Sequence, residues 1–360
     1  MSESTQFGAE DESSSDRAFD DMTLQPMPSH EQASDDGEPA LGNERFPPQQ
    51  GEPVRVSLSE VSQSEIAQEV MHIAGPEPEP QVIWAPPVVR TPNFIDALLF
   101  LVLIIMGLLI TTGALGVALH FHWLERWFGL KDFQAAATDT RIALGTQLFI
   151  YIVAIAGAVP LFQKVWYKPY FEGLHWHGAT ALRLRWRLVV TAVACNLLAF
   201  LGNTVLPFPQ HAPIDKMFSN GRDAWMLASF GVLVAPFFEE MIFRGFLIPA
   251  MATAWDWCGE RLTGSSPRPL DPQGNPQWSV AAMVFAALSV SVPFALMHSA
   301  QVGSAWGPVM LLYCVSLVLC AVRLTTRSLA ASTFVHATYN FALFFVMFVE
   351  TDGFRHFDKL

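Results

Sequence analysis

Residues 97–119 read ALLFLVLIIMGLLITTGALGVAL, a stretch without one charged side chain. At ~1.5 Å per residue a helix of this length crosses the roughly 30 Å hydrocarbon core of a bilayer. Working outward, comparable apolar stretches recur at residues 142–162, 188–206, 224–248, 280–297, 306–322 and 329–349. The expected fold is therefore all-α, a polytopic membrane helical bundle of seven spans. Eight result if the fourth stretch, which stays apolar to Trp255, breaks into two pieces.

Composition agrees. Hydrophobic residues make up 51% of the 360, charged residues only 15%, and the mean hydropathy is +0.31. The net charge of −12 is unevenly spread: residues 1–90 hold 18 Asp and Glu against 4 Lys and Arg, while residues 91–360 hold 15 against 17. The acidity thus belongs to a tail rich in Ser, Pro and Gly (SSSD, SDDGEPA, GPEPEPQ), which buries too little apolar surface to offset the entropy of ordering. The expected division is a disordered acidic tail at 1–90 and a membrane domain at 91–360. Within the tail, Leu58, Val61, Ile66, Val70 and Ile73 recur at helical spacing and suit a short amphipathic helix that docks a protein partner. No basic segment precedes an apolar run at the start, so no cleavable signal peptide is expected.

Without a basic face the chain is no nucleic-acid binder. The four cysteines, Cys195, Cys258, Cys314 and Cys320, form no CxxC pair and no disulfide framework. With the tail inside, the inner span ends and loops carry 10 Lys and Arg and the outer ones 7. That asymmetry favours a cytoplasmic tail, and the expected location is a bacterial inner (plasma) membrane, with the lipid bilayer itself as a partner. Trp123, Trp127, Trp166, Trp176, Trp186 and Trp255 sit at span ends, where an amphipathic indole belongs.

The fourth span contains APFFEEMIFRGFL, which puts Glu239, Glu240 and Arg244 inside an apolar helix. Each unpaired charge near a helix centre costs on the order of 2.5–3.5 kcal/mol. Glu240 and Arg244 are four residues apart and can pair along one face. Glu239 is turned about 100° away and is left facing another helix, as a general base requires. The fifth span ends in PFALMH, with His298 four residues after Phe294. The seventh contains FVHATYN, with His336 and Asn340 on one face. Pro236 and Pro293 precede Glu239 and His298 and are expected to kink their helices.

These residues resemble the signature of the CAAX protease and bacteriocin-processing (CPBP, or abortive-infection) intramembrane endopeptidases: EExxxR, FxxxH and HxxxN on successive core helices. Here the three are Glu239-Glu240-x-x-x-Arg244, Phe294-x-x-x-His298 and His336-x-x-x-Asn340, complete and in order. The resemblance covers roughly residues 188–349 and is silent on the tail. It implies a bundle of membrane helices around the site and cleavage of membrane-associated or C-terminal peptide substrates, prenylated in the eukaryotic branch. It makes Glu239, Glu240, Arg244, His298, His336 and Asn340 the candidate catalytic set. In that reading Glu239 and His298 activate water, His336 and Asn340 stabilise the oxyanion, and Glu240 and Arg244 position the base. A metallo-endopeptidase variant would place Zn²⁺ on Glu239, His298 and His336, although no HExxH is present. The competing readings are a non-catalytic scaffold or immunity-like protein of the same fold, and a transporter.

Three further expectations complete the picture. His175 and His177 in LHWHG read as solvated loop residues, Asn196 as a hydrogen-bonded packing residue, and Asp96 as a helix-start carboxylate. Counted along straight helices, Glu239 and His336 lie roughly 14 and 10 Å from the inner face but His298 roughly 27 Å. The three can meet only if the fifth helix begins beyond the bilayer or bends at Pro293.

Overall fold

The computed structural model describes residues 92–207, 218, 220–271 and 275–357. The expectations of a disordered tail and of a docking helix at 58–73 lie outside them. Among the described residues, seven helices are long and apolar enough to cross a membrane: α1 (Phe94–His120), α2 (Thr140–Trp166), α3 (Gly178–Val205), α4 (Gly221–Thr263), α5 (Val280–Met297), α6 (Trp306–Thr326) and α7 (Leu329–Glu350). The chain is a polytopic, all-α membrane protein. The fourth apolar stretch does not split; it is one continuous helix of 43 residues. Helices α1, α3, α5 and α7 begin on one side of the bundle, here termed the entry face, where α2, α4 and α6 end.

Helices outrun their apolar stretches because polarity does not terminate them. The α3 helix starts ten residues before residue 188 and takes in Arg183, Arg185 and Arg187, good helix formers whose long stems let the charged heads reach water. Local capping sets the starts. Asn93 accepts hydrogen bonds from the amides of Ile95 and Asp96, and the Asn93 amide donates to Asp96 Oδ2. Asp96 does more than favour a helix dipole: it is buried and accepts from Trp166 Nε1 at 3.1 Å, tying the start of α1 to the end of α2. Along the same pair, Gly107 lets the backbones close, since a Cβ there would come within 3.0 Å of the Ile150 carbonyl oxygen. Close approach at small residues is how helices pack where lipid removes the hydrophobic drive.

The organising element is α4. Its Phe243, Ile248 and Ala252 belong to a core shared with α3, α5, α6 and α7. Its Phe238, Met241, Phe246 and Ala250 belong to a second core with α1 and α2, and its Ala224, Leu227 and Ala228 to a third at the opposite end. A helix apolar on every side is a central one. The outer helices instead expose large apolar side chains, such as Leu98, Leu101, Ile105 and Leu109 on α1, as a lipid-facing surface requires.

Two wide π-type segments, Phe230–Val234 and Met241–Leu247, interrupt the α-helical geometry of α4. Each is followed by a proline, Pro236 and Pro249, which lacks an N–H and crowds the carbonyl four residues back. The expected kink is thus realised as a widening of the helix, with Glu239 and Glu240 on the short α-helical stretch between the two.

The depth disparity is resolved by the α4–α5 hairpin. Trp278 Nε1 donates to Thr253 Oγ1 at 3.0 Å, and Ser279 donates to Asp256 through its amide (2.8 Å) and hydroxyl (2.6 Å). Trp255 stacks on Phe285 with ring centroids 4.3 Å apart. These contacts lie some 20–25 Å along α4 from Glu239, whereas α7 begins only about 10 Å from His336. The hairpin therefore projects past the α6–α7 turn, and the 18 residues of α5 bring His298 to the level of the glutamates.

Candidate active site

Glu240 and Arg244 are fully buried and joined by a 3.0 Å bond from Nη1 to Oε1, the pairing that their spacing predicts. Arg244 Nη2 donates to the Ser316 carbonyl (3.1 Å) and to Ser316 Oγ (2.7 Å) on α6. The Ser316 hydroxyl in turn donates to Ser291 Oγ on α5 at 2.9 Å, and that of Ser291 to the Ala287 carbonyl. The guanidinium also lies over the face of Phe294, 4.4 Å from the ring centroid, a cation–π contact strengthened by desolvation. An arginine in a water-poor interior thus has its charge met from α4, its Nη2 donors from α6 and its face covered from α5, while its Nε–H is buried without a partner.

His336 joins the two glutamates. Its Nδ1 is 3.0 Å from Glu240 Oε1 and its Nε2 3.6 Å from Glu239 Oε2. His298 Nδ1 is 2.9 Å from the Phe294 carbonyl and its Nε2 3.8 Å from the same Glu239 oxygen. Because a carboxylate and a carbonyl only accept, both Nδ1 atoms carry the proton. In the neutral rings both Nε2 lone pairs are therefore bare and turned toward Glu239, at separations too long for a direct hydrogen bond. Glu239 and His336 are buried, and His298 is half-buried. Phe294 packs against both imidazoles, 5.1 Å from His298 and 5.7 Å from His336 between ring centroids.

Asn340 stands apart from the cluster. Its Nδ2 donates to the Gly231 carbonyl at 2.7 Å, in the first wide segment of α4. Gly231 has no room for a side chain, since a Cβ would meet the Phe344 ring at 2.8 Å. The structure thus brings together five of the six candidate residues, Glu239, Glu240, Arg244, His298 and His336, and places Asn340 on the backbone of the helix that carries the glutamates.

Residues beyond the candidate set also belong to the site. Ser291, Ser316 and Phe294 hold Arg244, and Gly231 receives Asn340. Phe294 was visible as part of a motif. The serines were not, because a hydroxyl in an apolar span ordinarily bonds its own helix. Asn196 bonds the Ala192 and Tyr339 carbonyls, as a packing residue would. His175 departs from expectation: it is half-buried, with Nε2 at 3.0 Å from Asn275 Oδ1 and Nδ1 at 3.3 Å from Arg323 Nη2. Burial, then the nearby Arg323 charge, pushes its pKa down to about 4. His177 is exposed.

The metalloprotease expectation finds no support in this geometry. Among the described residues no group of three or more His, Cys, Asp and Glu is disposed to hold a metal ion.

A bundle of membrane helices that buries two glutamates, an arginine and a histidine, with a second histidine at their edge, is a centre consistent with intramembrane peptide hydrolysis. Residues 221–342 match the family model described as type II CAAX prenyl endopeptidase Rce1-like. All seven residues of the three sequence motifs lie within the match, which spans α4 to α7 and leaves α1 to α3 outside. No curated protein and no solved structure matches the chain.

Proposed function

We propose that the chain is a glutamate-dependent intramembrane endopeptidase in which one water molecule is activated between Glu239 and His298. The observation that carries this is the convergence of Glu239 Oε2 with the bare Nε2 atoms of His298 and His336. A water among these three acceptors donates to two of them at a time, Glu239 Oε2 and one Nε2. Glu239 takes the water proton, the hydroxide attacks the scissile carbonyl carbon, and the same proton passes to the departing amine nitrogen as the C–N bond breaks.

His336 presents its Nε2 to the water and to Glu239. Glu240 holds Nδ1–H throughout, as a carboxylate holds a catalytic histidine in other hydrolases. Asn340 supports the first wide turn of α4 through Gly231, and its second amide proton is the one left for an oxyanion.

The substrate class that fits is a membrane-associated or C-terminal peptide. The division into an acidic tail at 1–90 and a peptidase domain at 91–360, the tail on the Lys- and Arg-rich side of a bacterial inner membrane, and a protein partner for the tail belong to the same proposal. The test is cleavage of a peptide library by the purified chain in H₂¹⁸O with and without chelator. One ¹⁸O in the new carboxyl terminus, undiminished by chelator, is the expected result. No cleavage by well-folded protein would leave a membrane scaffold instead.

A further inference from the structure

A second polar site lies outside the peptidase centre. A cavity of about 510 Å³ opens among the entry-face ends of the helices, bounded by His175, Asp271, Asn275, Trp278, Arg323 and Arg327. It draws its walls from the α2–α3 and α4–α5 connections and from the end of α6. Arg323 is its unusual member. The residue is buried at 4% exposure, yet its guanidinium makes one hydrogen bond, from Nη2 to His175 Nδ1. Its Nε–H is buried without a partner.

The surrounding charges leave Arg323 uncompensated. Its one partner, His175, is neutral at ordinary pH, with its Nε2–H engaged by Asn275. Asp271 shares the cavity, but it accepts from the Asn275 amide and side chain and faces Arg327 at 3.9 Å. Glu240, the buried acid on α4, is taken by Arg244 and His336. Two arginines and one aspartate thus line a pocket whose deepest cation lacks an anion. A guanidinium has a rigid donor fork that matches phosphate oxygens. The pocket sits at the ends of membrane-spanning helices, with Trp278 beside it. Basic pockets between membrane helices at this level hold anionic headgroups.

We propose that this pocket binds the phosphate of an anionic phospholipid, with Arg323 as the buried anchor and Arg327 as the outer contact. The site is separate from Glu239 and its histidines, and occupancy fixes the junction of α6 with the α2–α3 connection.

The test is native mass spectrometry of the full chain with phosphatidylglycerol and phosphatidylcholine at equal mole fraction, a readout independent of peptide cleavage. The wild type should retain one phosphatidylglycerol with a preference of about tenfold, the scale of one charge-assisted contact. Arg323→Gln should abolish the preference. Arg327→Gln, at an exposed turn, should lower it about threefold and carries the test alone if Arg323→Gln does not fold. Displacement by millimolar inorganic phosphate would assign the site to the phosphate group itself; resistance to it would assign the site to the intact lipid. Equal retention of both lipids, or a preference unchanged in whichever variants fold, would overturn the proposal. So would displacement by a short peptide with a free C-terminus but not by its amide, which would make the pocket a peptide subsite.

Discussion

At the scale of single residues, the two adjacent glutamates have separate duties. Glu240 Oε1 receives both Arg244 and His336, so its charge is consumed in holding other groups. Removing it strands a guanidinium in a fully buried setting, and breaking such a pair costs roughly 3–5 kcal/mol. Glu240→Gln should therefore lower the melting temperature in detergent markedly as well as abolish cleavage, whereas a stable, inactive variant would show that Glu240 is not the structural partner of Arg244. The sequence already carried this distinction, since the i,i+4 spacing to Arg244 selects Glu240 and not Glu239. It could not carry the His336–Glu240 bond, which joins α4 to α7 and depends on packing between helices far apart in the chain. For the same reason it could not carry the bond from Asn340 to the Gly231 carbonyl, which joins α7 to α4.

At the scale of elements, α4 is shaped by its prolines. Pro236 follows the wide segment Phe230–Val234, whose Gly231 carbonyl turns to Asn340. Replacing this proline restores an N–H and removes a clash, a change worth up to ~3 kcal/mol in a helix interior. Pro236→Ala should stabilise the protein to heat while slowing turnover about tenfold or more, because regular winding rotates Glu239 away from the two histidines. Equal or faster turnover in a stabilised variant would show that the widening does not aim the base. The sequence flagged Pro236 as a kink and omitted Pro249, since a proline near a span end reads as a boundary. Span number and order were legible from uncharged length alone. Span ends were not: Arg183, Arg185 and Arg187 continue α3 as helix, and the α4–α5 hairpin continues well past the α6–α7 turn.

At the scale of the whole molecule, stability should register His175, which links the α2–α3 connection to Asn275 and Arg323. Its pKa falls from 6.5 to about 4 on folding. Between those values the unfolded chain binds a proton that the folded chain refuses, so stability falls as pH drops from about 6.5 toward 4 and is level above that window. The contribution lost is on the order of 2–3 kcal/mol. His175→Asn, which tolerates the left-handed backbone there (φ 57°), should be less stable than wild type at pH 7.5, with the gap closing as the pH is lowered; a constant gap would contradict this. The central claim, that Glu239 is the base and the buried Glu240–Arg244 network its support, is tested most directly by one paired measurement on Glu239→Gln: thermal stability and peptide turnover in the same preparation. A melting temperature equal to or above wild type with turnover reduced by about 10²–10⁴ is the predicted result. Near-normal cleavage by a stable Glu239→Gln variant would contradict it.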